Sequence, residues 1–263
     1  MREVPLLCSV RDCRQPLRPG ERVYACPKGH SFDLARSGYL NLLQPQDKKS
    51  DEPGDSRESV QARERLFAKG IGAGLLMDLT TLAASLGEEP LVLDVGCGPG
   101  FLVTAIGEEG CGLDLSVYAL ERAAKRDPGP MWVAANADRF LPFPDATFDL
   151  LFSVTGPTNA AEFRRVLKPE GHLIVGVPAP DDLIELREAV LGRGDLVERP
   201  PRPLDSFQFL KRETSRERVR VEPDGLKDLL LATYRGARHS AQPRVKALER
   251  MDVTLASEIH VYM

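Results

Sequence analysis

The 263-residue sequence contains no run of 18 or more apolar residues, no charged-then-apolar leader, no internal repeat and no low-complexity tract. The first two absences exclude a single hydrophobic span and a secretory signal pattern, so a cytoplasmic protein without a membrane partner is expected. There is no strong excess of charge either. Thirty-five Lys and Arg stand against 39 Asp and Glu, which by itself leaves no footprint for nucleic acid. The distribution says more: residues 1–50 hold nine Lys/Arg and five Asp/Glu, so basic charge is concentrated at the N-terminal end. A solvated face gives the same pattern. The length suffices for one α/β domain with a sizeable core and a small appendage.

The central signal is Leu91-Val92-Leu93-Asp94-Val95-Gly96-Cys97-Gly98-Pro99-Gly100, a short β-branched run that breaks into a glycine-rich turn and then a helix-like segment from Phe101. Glycines let the backbone N–H groups of such a turn approach a ligand without interference from Cβ. About twenty residues on, Cys111-Gly112-Leu113-Asp114 ends a second strand in a carboxylate suited to two ribose hydroxyls. Dinucleotide enzymes place G-x-G-x-x-G at this point, whereas here D-x-G-x-G-x-G carries an acid at its head. An acid suits a ligand with a cationic amino-acid end, such as S-adenosylmethionine (SAM). The chain here resembles the Rossmann-like class I SAM-dependent methyltransferases. The segment Leu141-Pro142-Phe143-Pro144-Asp145, with Phe148-Asp149, adds to the likeness. The resemblance implies a cofactor set of Asp94, Gly96, Cys97, Gly98, Gly100, Phe101, Leu102, Asp114, Leu115, Asn136 and Ala137, with Asp182 beyond the fifth strand added to it.

Cys8, Cys13, Cys26 and His30 give C-x4-C, twelve residues, then C-x3-H, with Pro19-Gly20 turn chemistry between the pairs. Three thiolates and one imidazole close a tetrahedral structural zinc site with no place for a water. Disulfides compete with this reading, but the cysteine count is odd and Cys97 and Cys111 lie inside the presumed core. A module of thirty-odd residues has too little apolar surface to fold unaided, and metal binding supplies the difference.

Beyond the glycine loop the order is regular. A helix is expected from Ser116 to about Arg126, strands at Met131–Ala134 and Thr147–Val154, a helix at Ala160–Leu167, a turn at Lys168-Pro169-Glu170-Gly171 and a strand at His172–Val177. A helix ending at Gly192, a break at Arg199-Pro200-Pro201-Arg202-Pro203, a long strand at Phe207–Val221, a helix near Pro223–Ala232 and a last strand at Val253–Val261 follow. Alternating strands and helices imply an α/β fold with a parallel sheet and ligands at the carboxyl ends of its strands. The expected architecture is a seven-stranded, mostly parallel sheet with helices on both faces and a small N-terminal zinc-binding module. Before the sheet, residues 44–55 read as a linker in which Lys48 and Lys49 can meet phosphate. Asp55 and Glu58 form a capping box for a helix to about Gly70. A second helix follows through Leu75, Leu79, Leu82 and Leu86, and Gly70, Gly72 and Gly74 suggest a hinge between the two. His172 reads as structural. In the long strand Lys211, Arg212, Arg216, Arg218 and Arg220 are either an RNA path or a solvated rim that resists edge pairing.

Cys26-Pro27-x-x-His30-x-Phe32-Asp33, Gly38-Tyr39-x-Asn41-Leu42-Leu43, Asp51-x-Pro53-Gly54-Asp55-Ser56 and Gln61-Ala62-Arg63 are similar to the RlmA-type large-subunit rRNA guanine-N1 methyltransferases, over residues from Cys8 to about Leu186. The apolar members of these motifs, Phe32, Leu34, Tyr39, Leu40, Leu42 and Leu43, read mainly as a docking seam rather than as RNA-stacking groups. The resemblance implies three parts: 1–45, a zinc-binding RNA-recognition module; 46–87, a linker and helices covering the cofactor; and 88–263, the methyltransferase domain. It also implies methyl transfer to N1 of a guanine in a hairpin of 23S ribosomal RNA, with Thr155, Gly156, Pro157 and Thr158 as the loop facing methyl and base. Relatives carry Ala-Pro-Cys where this chain has Gly156-Pro157-Thr158. A general base is left unassigned among Asp138, Asp181 and Asp182, and a homodimer is left open. The rival functions are a small-molecule SAM-dependent methyltransferase and a non-catalytic RNA-binding protein with the same fold.

Overall fold

A computed structural model of the chain describes residues 4–47, 53–107, 110–192, 196, 204–233 and 243–263. Lys48, Lys49 and the Arg199–Pro203 break lie outside the described residues. The first strands, β1 (Arg18–Pro19), β2 (Val23–Ala25) and β3 (Ser31–Asp33), form a small antiparallel sheet. The Pro19-Gly20 turn opens its first hairpin, with Gly20 N donating to Val23 O. β4 (Tyr39–Asn41) leaves this module and joins the main sheet.

Helices α1 (Arg57–Ala68) and α2 (Ala73–Leu86) precede the central strand β5 (Val92–Val95). Then come α3 (Phe101–Ile106), β6 (Gly110–Asp114), α4 (Val117–Arg126), β7 (Met131–Ala134), β8 (Phe148–Val154), α5 (Ala160–Val166) and β9 (Leu167–Pro178). The chain ends with α6 (Ile184–Leu191), β10 (Phe209–Val221), α7 (Pro223–Leu231), the short α8 (Pro243–Lys246) and β11 (Met251–Tyr262). The sheet order is β10-β11-β9-β8-β5-β6-β7-β4. It is parallel from β9 to β4 and antiparallel where β11 meets β9 and β10. All seven expected strands are present, and β4 adds an eighth by pairing Tyr39–Asn41 with Trp132–Ala134. Three residues are too short a run to declare a strand by alternation.

The sheet divides its side chains by the period of two that pleating imposes. Val92 packs with Leu79, Leu82 and Leu102 on one face, while Leu93 and Val95 pack with Phe163 and Val166 on the other. That second core continues without a break into the small sheet through Cys8, Cys13, Cys26, Phe32, Leu40 and Leu42. The apolar seam is thus packing, as read.

Several local expectations change. The cap of α1 is Ser56, whose side chain accepts from Ser59 N, while Asp55 pairs with Arg63. Lys168–Gly171 is not a separate turn but lies inside β9. Phe148 pairs with Leu167 and Leu150 with His172, so these four residues bulge out opposite Asp149, which removes Pro169 from the ladder. Gly70 and Gly72 are left-handed and turn the chain by 84° between α1 and α2. The join is held rather than free, since Gly72 N donates to Glu217 on β10. On that edge strand Lys211 pairs with Glu213, Arg212 with Glu258, Arg216 with Asp181 and Arg220 with Asp252. These pairs are at the surface, with the four cationic side chains about half exposed, as a charged edge that resists strand pairing requires. No single helix among the described residues is long and apolar enough to cross a membrane.

Candidate active site and metal centre

After β5 the chain moves through β6 to β7, and then β8 returns to the other side of β5. The crevice at the carboxyl ends of β5 and β8 is therefore the topological switch point, where open α/β sheets bind ligands. The glycine loop and the Thr155–Thr158 loop meet there. A Cβ on Gly96 would lie 3.1 Å from Pro157 Cδ, and one on Gly156 would lie 2.6 Å from the Val95 carbonyl oxygen. Ser153 Oγ donates to the Pro157 carbonyl at 2.7 Å, which fixes the turn, and Thr155 takes a left-handed φ of 52° within it.

The three loop glycines serve different ends. Gly96 yields room to Pro157, while a Cβ on Gly98 would meet only Arg63 Nη1, at 3.8 Å. Gly100, at φ 79°, lies against Trp132: an added Cβ would sit 2.4 Å from the indole and 2.9 Å from Ala123 Cβ. Both the strained φ and the ring forbid a side chain. Gly100→Ala is expected to destabilise the protein by roughly 2–4 kcal/mol, read as a shifted urea midpoint with altered emission from Trp132, the one tryptophan.

Loop N–H groups point inward more than the sequence suggested. Gly96 N and Cys97 N donate to Leu113 O, and Gly98 N to Asp114 Oδ2 at 2.8 Å. Asp114 Oδ1 takes Ser116 N at 2.7 Å. Each Asp114 oxygen can accept one further hydrogen bond. Burial pushes the Asp114 carboxyl up, opposed by those two N–H groups and by the charge of Arg63. Asp94 is 4% exposed. Burial, and then the charge of Asp114, push its carboxyl up to about 7, and no cation among the described residues opposes this. A buried acid beside a second carboxyl is stabilised in its charged form when a cation approaches it.

Other expected cofactor residues divide. Phe101 stacks on Phe67 of α1 at 3.9 Å between ring centroids, with the Arg126 guanidinium 4.6 Å from its ring, so α1 rests directly on the loop. Cys97 and Leu102 turn their side chains into core clusters and offer only backbone. Leu115 is half-buried beside Asp114. Asn136 and Ala137 follow β7, where Asn159 Nδ2 donates to Ala137 O at 2.9 Å. Asp182 stands apart, beyond β9. Its Oδ1 accepts from Ala256 N on β11 at 3.0 Å, and burial raises its carboxyl to about 6. We read it as a structural acceptor rather than a cofactor contact. Asp181 is held by Arg216, while Asp138 is exposed on the Asn136 loop. Sequence reasoning named Asn159 only as the end of the substrate loop and Arg63 only within a motif, and it passed over Phe67 and Arg139. Only Asn159, a helix cap three residues before Glu162, carries a local signal.

At the other centre, one ligand atom from each of Cys8, Cys13, Cys26 and His30 lies within 4.8 Å of the rest. Cys8 Sγ and Cys26 Sγ are each 3.4 Å from His30 Nδ1, and the Cys13 and Cys26 sulfurs are 3.8 Å apart. Zinc bonds of about 2.3 Å to sulfur and about 2.0 Å to nitrogen give tetrahedral edges of about 3.8 and 3.5 Å, so the donor set fits the ion. All five cysteines are free thiols. Within the coupled cluster, burial pushes the Cys8 thiol up to about 12, whereas the N–H groups of His30 and Lys28 and the neighbouring thiols outweigh burial at Cys26 and bring it down to about 7, so Cys26 is the readier thiolate.

Residues 93–175 match a methyltransferase domain family, and residues 7–51 match the family described as RlmA, N-terminal, a zinc ribbon. The 23S rRNA (guanine(748)-N(1))-methyltransferase of Streptomyces fradiae is 36% identical over 63% of this chain and 61% of its own length. A protein of Micromonospora griseorubida, provisionally named a 23S rRNA (guanine-N(1)-)-methyltransferase, is 37% identical over 66% of this chain and 65% of its own. The chain thus spans just under two thirds of the length of these curated relatives. Among solved structures, the YcgJ protein of Bacillus subtilis aligns with 71% of this chain and 97% of its own at 16% identity and a TM-score of 0.47, too loose a likeness to argue from. The fold and the site define a class I, SAM-dependent methyltransferase domain. Ahead of that domain, residues 7–51 carry the RlmA-type zinc ribbon.

Proposed function

We propose that the protein transfers a methyl group from SAM to N1 of a guanine in a hairpin of 23S ribosomal RNA, in the cytoplasm. The observation that carries this reading is the joining of the two centres. Cys8, Cys13 and Cys26 share one uninterrupted core with Leu93 and Val95 of the cofactor strand. A zinc module fused so closely to the crevice serves a large substrate; a small molecule needs only the crevice. A groove of about 440 Å³ lined by Val10, His30, Phe32, Asn41, Leu43 and Gln44 gives flanking nucleotides a place beside it. The larger cleft, about 620 Å³, lies at the opposite ends of the strands, where Glu88, Glu89 and Glu170 outnumber the cation Lys168, itself paired with Asp149.

SAM supplies an electrophilic methyl on its sulfonium. In this reading Asp94 holds the cationic amino group, Asp114 the ribose, and Asn136 with Ala137 the adenine. Thr155–Thr158, held by Ser153 and seated on Gly96, presents the incoming base to the methyl carbon. Backbone does this positioning, so Gly156-Pro157-Thr158 in place of Ala-Pro-Cys keeps the function. Alignment of nucleophile, carbon and sulfur, with water excluded by α1, is the main contribution of the protein. We leave the acceptor of the N1 proton unassigned.

Incubation with methyl-labelled SAM and unmodified 23S rRNA is expected to place label in the RNA. Label in small-molecule acceptors, with none in RNA, would move the protein to the rival class.

A further inference from the structure

The loop after β7 carries the expected adenine contacts, and it is tied from two sides. Asn159, which caps α5, holds Ala137 O from the substrate side. The zinc module holds it from the other. Arg139 Nε donates to Asp47 Oδ1 at 2.5 Å, and Arg139 Nη2 to Asp47 Oδ2 at 3.0 Å and to the Ser9 carbonyl at 3.1 Å. The Asp47 side chain is 1% exposed and also accepts Gln44 N at 2.8 Å. Ser9 adjoins the metal ligand Cys8, and its hydroxyl donates to Leu42 O at 2.5 Å. Arg139 N in turn donates to Asn136 O at 3.1 Å, closing the turn that bears Asn136 and Ala137. The Arg14 guanidinium covers the Phe140 ring at 4.8 Å, and Leu7 N donates to Pro142 O at 2.9 Å.

Resting on the SAM reading of the crevice, we propose that Arg139 is a positioning residue that couples metal occupancy at Cys8, Cys13, Cys26 and His30 to cofactor affinity at Asn136 and Ala137. Metal fixes Cys8 and with it the Ser9 carbonyl. Ser9 and Asp47 together hold a guanidinium in one orientation by a two-pronged ion pair and a third bond, which a lysine cannot reproduce. The arginine backbone then sets the turn under the adenine. Coupling between binding sites is reciprocal, so SAM must tighten the metal by the same factor that metal tightens SAM.

The test measures zinc affinity of the full-length protein by competition with a chelating dye, with and without SAM, alongside SAM affinity by calorimetry. In the wild type, SAM is expected to raise zinc affinity about tenfold, within the usual range of such couplings. Arg139→Ala is expected to bind SAM about tenfold more weakly, with zinc affinity the same whether SAM is present or absent. Arg139→Lys keeps the charge and guards against a variant that does not fold, with Trp132 emission reporting the native core. It is expected to lose most of the coupling. A wild type that binds SAM yet shows one zinc affinity throughout would overturn the coupling alone, as would full coupling in Arg139→Lys. A wild type that does not bind SAM would overturn the SAM reading and the coupling together.

Discussion

Asp94→Asn is expected to weaken SAM binding about 100-fold and, at pH 8, to make the ligand-free protein more resistant to urea. The two effects have one cause. Burial, followed by the charge of Asp114, pushes the Asp94 carboxyl up to about 7 from 3.8. A carboxyl raised on folding favours the native state at low pH, and that contribution is lost as pH rises from about 4 through about 7. Each tenfold change in acidity is worth about 1.4 kcal/mol, so the ionised form costs the empty protein on the order of a few kcal/mol. Asparagine removes that cost. It also removes the anion that a cationic amino group needs, and a charge-assisted hydrogen bond in a buried site carries roughly 2–3 kcal/mol, or about 30- to 150-fold in affinity. By the same logic, wild-type affinity for SAM is expected to fall about tenfold for each pH unit below 7. Calorimetry from pH 5.5 to 8.5, with urea unfolding of both proteins, checks the pair. Unchanged affinity in the variant would remove Asp94 from the site. A site that trades stability for binding is a common bargain in enzymes.

Zinc removal has the second large effect. Chelation, or Cys26→Ser, is expected to abolish stoichiometric zinc, lower the thermal midpoint by about 10 °C or more and reduce transfer to rRNA to background. Binding of a structural zinc is worth roughly 10–16 kcal/mol in small modules, and it is folding energy. Here the loss cannot stay local, because the ligand cysteines pack in the same core as Leu93, Val95 and Phe163. A cost of several kcal/mol in a domain of this size moves the midpoint by about 2–4 °C for each. Metal analysis and a thermal scan decide it. A metal-free protein with the wild-type midpoint would show the module to be an ornament.

What could be read from the sequence was local. The seven expected strands follow from short apolar or alternating runs between turn and helix signals, and Asp94, Asp114 and the three loop glycines follow from the chemistry at the ends of two neighbouring strands. The zinc ligands follow from spacing alone. What escaped depends on partners far along the chain. Asp47 and Arg139 are 92 residues apart, and nothing near either announces the other. Tyr39–Asn41 becomes a strand because Trp132–Ala134 offers it an edge, not because three residues show a period. The partners of Arg212, Arg216 and Arg220, namely Glu258, Asp181 and Asp252, likewise come from distant parts of the chain. Similarly, the acid at Asp55 outranked Ser56 as a cap only while Arg63, on the next turns of the helix, was out of view.

In the proposed function, a cofactor crevice built on Asp94 and Asp114 and joined to a zinc ribbon methylates guanine in large-subunit rRNA. Nucleoside analysis by mass spectrometry, after incubating the zinc-loaded protein with SAM and unmodified 23S rRNA, tests it most directly. The expected product is N1-methylguanosine at one position. Methylation of another base or another atom, or RNA that stays unmodified while SAM binds, would contradict it.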